Sequence, residues 1–116
     1  MGSFHVYLYG PNSGPIDSSF EESEARLVRM PKLHFEPDGS FVWVGQSGAQ
    51  KIYGMIYDAG GKIRYCDLQG HCSRATWNQL CVAIAGSSEA SLSVLTLPDG
   101  QLQDLQSFEN QWWPGG

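Results

Sequence analysis

Three tight-turn sequences, each set between runs of alternating apolar and polar residues, constrain this chain more than any other feature. Pro37-Asp38-Gly39 separates residues 32–36 from 40–45, Asp58-Ala59-Gly60-Gly61 separates 51–57 from 62–68, and Pro98-Asp99-Gly100 separates 91–97 from 101–105. Proline presets φ, aspartate bonds to nearby backbone, and glycine accepts positive φ, so such segments reverse the chain tightly. Short runs flanking turns of this kind read as antiparallel hairpins.

In the first hairpin Leu33 and Phe35 share one face and His34 takes the other. The unbroken apolar run Phe41-Val42-Trp43-Val44 predicts a strand covered on both faces. In the second, Ile63 and Tyr65 are expected on one face and Arg64 on the opposite one; in the third, Leu92 and Val94 share a side. Phe4, Val6 and Leu8 alternate with His5, Tyr7 and Tyr9, which predicts a further strand stopped by Gly10-Pro11.

Helical spacing is clearest at Trp77, Leu80, Cys81 and Ile84, which follow i, i+3, i+4, i+7. Thr76 is the expected N-cap, with Gln79 completing a capping box, and Gly86 stands where a C-cap glycine belongs. A helix this short needs a sheet to rest on. A second helix is expected over 19–29, where Ser19 and Glu22 form a capping-box pattern, although 25–30 also suits the start of a strand. Residues 12–18 read as a polar loop and 46–50 as a turn. The prediction is an α+β fold: an antiparallel sheet of about six or seven strands built from hairpins, one face covered by one or two short helices. A length of 116 residues matches one domain, 1–116, with 108–116 read as a tail, either flexible or docking.

Charge narrows the function classes. Twelve acidic residues against seven Lys plus Arg give a net charge of -5. Arg26, Arg29 and Lys32 form the one loose basic group, and Glu21, Glu22 and Glu24 offset it. Nucleic acid binding requires clustered cations that displace counterions, and anionic membranes require the same. Neither partner is expected. No segment approaches the roughly 18 apolar residues of a membrane span. The first residues lack a signal-peptide pattern, and an odd count of 3 cysteines suggests free thiols, so the expected location is cytoplasmic.

The segments 35–43, Gly54 with Tyr57-Asp58 and Gly61, and Leu68-Gln69-Gly70-His71-Cys72 with Trp77 and Leu80 are similar to small proteins of planctomycete-type bacteria over residues 31–85. The resemblance implies a bacterial cytoplasmic protein. It carries no known activity, so it assigns no functional residue.

One local group could carry chemistry: Cys66, Asp67, His71 and Cys72, with Cys81 on the following helix. Thiolates and imidazoles are preferred zinc ligands, so Cys66, His71 and Cys72 form a candidate metal set, although their spacing lacks the paired C-x2–4-C pattern. Cys72 precedes a helix, where the dipole lowers a thiol's pKa, and with His71 beside it forms a candidate catalytic pair. Against both readings, Cys81 lies on the helix's apolar stripe and reads as a small buried hydrophobe. The serine-hydrolase elbow, the phosphate-binding loop and the HExxH helix are absent from the sequence, and no cofactor is expected.

Aromatic residues supply the other candidates. Trp112 and Trp113 either dock onto the core or anchor a partner. Tyr7, Tyr9, Trp43, Tyr53 and Tyr57 are expected to fall partly on an uncovered sheet face and, exposed together, would form an interaction patch. The leading expectation is a non-catalytic module that binds a protein or a ligand, with a protein partner or a homodimer. The alternatives are a thiol or metal enzyme centred on Cys66, His71 and Cys72, and a carrier acting through a terminal Gly115-Gly116.

Overall fold

A computed structural model of the chain describes residues 2–45, 50–87 and 91–115. The elements run β1 (Phe4–Tyr9), a 3-10 turn (Pro11–Ser13), α1 (Phe20–Leu27), β2 (Leu33–Phe35), β3 (Ser40–Val44), β4 (Lys51–Ala59), β5 (Lys62–His71), α2 (Arg74–Ala85), β6 (Ser93–Thr96), β7 (Gln101–Asp104) and α3 (Leu105–Trp112). The strands form one seven-stranded antiparallel sheet in the order β2-β3-β4-β5-β1-β6-β7. The fold is α+β, and the helices described all pack on one face. The turn predicted over 46–50 lies, apart from Gln50, outside the described residues.

The three hairpins form β2-β3, β4-β5 and β6-β7, as their turn sequences require. The register then decides which side chains share a face. Phe41, Gly54, Leu68 and Val6 stand opposite one another across four strands, on the side that carries the helices. Glycine at 54 is a packing requirement: a Cβ there would lie 2.1 to 2.5 Å from atoms of the Phe41 ring.

Two expectations about faces are corrected. Ile63 and Tyr65 do not share a face, because the β4-β5 register slips between Tyr57↔Tyr65 and Asp58↔Ile63. Arg64 is the extra residue of a β-bulge, which turns Ile63 into the core and leaves Tyr65 on the other side. Strand β3 is also covered on one side alone. Phe41 and Trp43 pack into the core, while Val42 and Val44 are half-buried among their neighbours on the opposite face.

Helix α1 begins with the expected capping box: Glu22 N–H donates to Ser19 Oγ at 3.1 Å, and Ser19 N–H donates to Glu22 Oε1 at 3.1 Å. Helix α2 starts earlier than its apolar spacing implied. Its cap is Ser73, whose Oγ accepts from Thr76 N–H at 3.2 Å, so Thr76 lies inside the helix. Gly86 closes α2 in the left-handed conformation at φ 83°. Arg26 satisfies carbonyls there: its Nε donates to Ala83 O at 2.7 Å, and Nη2 donates to Ile84 O at 3.3 Å and to Ser18 Oγ at 2.6 Å. The cation thus supports the negative end of the helix dipole and ties α1 to α2.

The segment from Leu105 onward is neither strand nor free tail. Asp104 caps α3 by accepting from Ser107 N–H at 2.7 Å, and Leu105 opens the helix. Phe108 and Trp113 are buried beside Phe4 and Trp77, with ring centroids 5.2 to 6.3 Å apart. Trp77 Nε1 donates to Glu109 Oε2 at 3.0 Å, and Arg74 reaches the other carboxylate oxygen at 3.5 Å. These contacts satisfy a carboxylate that would be costly to bury alone.

Candidate functional site

The aromatic residues divide cleanly by type. All 5 Phe and all 4 Trp of the chain pack into or against the helix-covered core, while all 5 Tyr stand at positions of the opposite sheet face. Phenylalanine and tryptophan carry large apolar surfaces, whereas tyrosine combines an apolar ring with a hydroxyl that stays hydrated. The partition follows from alternation. Cys66, Leu68 and Gly70 point to the helices, so Tyr65, Asp67 and Gln69 point away. Phe4, Val6 and Leu8 do the same on β1 and leave His5, Tyr7 and Tyr9 on the open side.

Tyr65 is the hub of this face. Its ring centroid lies 4.8 Å from Tyr57 at an interplanar angle of 22°, 4.9 Å from Tyr7 at 41° and 5.4 Å from Tyr9 at 31°. The Tyr57 and Tyr65 rings stack, and Tyr7 and Tyr9 lean against Tyr65 at wider angles. Loss of water around Tyr65 raises its pKa, and the neighbouring Tyr57, Tyr7 and Tyr9 add to the rise. Tyr53 and Tyr57 remain 49% and 40% exposed. Lys51 Nζ sits 4.9 Å from the centroid of the Tyr53 ring, a cation–π contact.

Beside the tyrosines, His5 Nε2 donates to Asp67 Oδ1 at 2.9 Å. Asp67 is flanked in register by Met55 and Tyr7, and His5 by Gln69. The pair spans β1 and β5 at the middle of the sheet.

Most of the sequence-derived tyrosine patch is therefore one surface: Tyr7, Tyr9, Tyr53 and Tyr57 share it. Trp43, Trp112 and Trp113 lie on the other side. Trp43 stands opposite Leu33 and Ile52 and packs against the core. Trp113 is 7% exposed, and its Nε1 donates to Cys72 O at 3.0 Å. Trp112 stacks on Phe108 at 6.2 Å and 15°. Tyr65 and the His5–Asp67 pair were not singled out from sequence. The signal was present in the two-residue period of Tyr65, Asp67 and Gln69, set against Cys66, Leu68 and Gly70.

The candidate metal and catalytic group does not converge. Cys66 and Cys72 are buried in the core, while Asp67 and His71 stand at open-face positions, so the sheet itself divides them. Among the described residues no three His, Cys, Asp or Glu side chains come together as a metal site. Burial pushes the Cys72 thiol up to about 12, the reverse of activation at a helix start. Burial also raises Cys66, with Asp67 adding, and raises Cys81 well above its ordinary value, with Glu109 adding. Of the terminal diglycine, Gly115 is exposed and Gly116 lies outside the described residues. Among the described residues no helix is long and apolar enough to cross a membrane.

Comparison of this chain with family models, curated proteins and solved structures yields no match.

Proposed function

We propose that this chain is a non-catalytic protein-interaction module whose working surface is the open face of the sheet. The observation that carries the reading is the segregation of all 5 Tyr to that face, opposite every Phe and Trp. Burial alone does not require it, since the core is completed from the other side. Tyrosine supplies large contact area at low side-chain entropy and is enriched at protein interfaces. The mutual stacking around Tyr65 holds the rings in place before a partner arrives, which reduces the ordering cost of binding. Raised thiol pKa values and the separation of His71 from Cys66 weigh against the thiol or metal enzyme.

The test is site-specific photocrosslinking in the cells that make the protein. A photoreactive residue replaces Tyr53 or Tyr57 on the open face, or Val28 or Val82 on the exposed helix surface. The reading expects a discrete crosslinked protein from the Tyr53 and Tyr57 positions and none from Val28 or Val82. Equal crosslinking from both sides, or none from the sheet, would overturn it.

A further inference from the structure

Resting on the reading of the open face as an interaction surface, we infer that its occupant is a second copy of this chain, the two sheets packing face to face about a two-fold axis. The first argument is charge. The chain carries -5, yet the charged strand residues that the register places on the open face are Lys51 and Lys62 against Asp67 and Asp104, a balanced set. The acidic excess lies elsewhere, for example at Glu21 and Glu22 in the first turn of α1 and at Asp38 and Asp99 in the hairpin turns. Two copies meeting by this face keep their excess charge apart, whereas contact through the α1 side would bring it together.

The second argument is chemical self-match. A phenol hydroxyl both donates and accepts hydrogen bonds, so a row of tyrosines is complementary to an identical row. A two-fold interface demands this property, because the same patch must serve on both sides. A face lined by one sign of charge, or by donors alone, would need a different partner.

The third is area. The five central strands β3, β4, β5, β1 and β6, at about 4.8 Å spacing and about 25 Å length, present on the order of 600 Å². Two such faces bury on the order of 1,200 Å², the lower end of specific stable interfaces. The pair is therefore expected to dissociate on dilution.

Sedimentation equilibrium of the full chain over roughly 1 µM to 1 mM tests the inference. Wild type is expected to pass from 12.8 kDa to twice that mass. Tyr57→Glu and, independently, Tyr53→Glu place an unpaired charge inside the contact and should raise the dissociation constant at least tenfold. Val82→Glu, on the exposed surface of α2, should leave it unchanged. Circular dichroism verifies that each variant is folded. A wild type that stays monomeric to 1 mM overturns the inference, as does a dimer that survives both tyrosine substitutions. If the chain is monomeric while the photocrosslinks from Tyr53 and Tyr57 persist to another protein, the second copy is excluded and the interaction surface stands. If the crosslinks are absent as well, both fail.

Discussion

Burial holds the Cys66, Cys72 and Cys81 thiols above their ordinary range, and this ties stability to alkaline pH. An unfolded thiol titrates near 8.5, while the folded Cys72 thiol titrates at about 12. Between those values the unfolded chain has lost a proton that the folded chain keeps. Stability from this source is therefore intact below about pH 8.5 and falls as pH rises. Each thiol removes up to about 1.4 kcal/mol per pH unit. Urea midpoints measured from pH 7.5 to pH 10 should decline above 8.5, and Cys72→Ala should make the decline shallower. A flat profile across that window would show that the thiols are not buried as described. The same residues explain a limit of the sequence reading. Cys66, Asp67, His71 and Cys72 are neighbours along the chain, but strand alternation sends alternate side chains to opposite faces. Proximity in sequence makes them candidates, and alternation keeps them from converging in space.

Helix α2 depends on a cap four residues before Trp77, the first large apolar side chain of its stripe. Ser73 Oγ accepts from Thr76 N–H at 3.2 Å, and Ser73 N–H donates to Gln50 Oε1 at 2.6 Å. Ser73→Ala should cost about 1 kcal/mol in a denaturation experiment. Thr76→Ala, inside the first turn, should cost clearly less, and equal costs would return the cap to Thr76. At this scale the legible elements were those announced by local chemistry. The hairpin turns, the Ser19–Glu22 box and Gly86 needed no distant partner to be recognised. Helix α3 is masked in the sequence because Gln101 to Leu105 continues an alternating pattern; Asp104 is both the last residue of β7 and the cap of α3, and Leu105, expected in the strand, opens the helix. The spacing of Leu105, Phe108 and Trp112 was available to expose it. The bulge at Arg64 was not legible: an extra residue leaves no mark until the partner strand fixes the register.

Across the whole molecule, the long-range pairings decide both the fold and the candidate surface. Strand β1 lies between β5 and β6, with Phe4 opposite Gly70 and Val6 opposite Thr96. No local pattern encodes those pairings, which is why the tyrosines of β1 and β5 were not joined into one cluster from sequence. Sheets dominated by such separations fold slowly for their size. Stopped-flow refolding should give a main phase of milliseconds to seconds; a microsecond phase carrying the full amplitude would contradict this topology. Position along the chain also sets an order of events during synthesis. Strand β1, which completes the middle of the sheet, is made before both of its neighbours, and the second of them is complete only when Thr96 has been made. At about 5–20 residues per second that interval lasts roughly 5–18 s. Both edges of β1 are unpaired until β5 is complete at His71, and the edge that β6 takes stays open until Thr96, so Phe4, Val6 and Leu8 form the part of the nascent chain most in need of a chaperone's shelter.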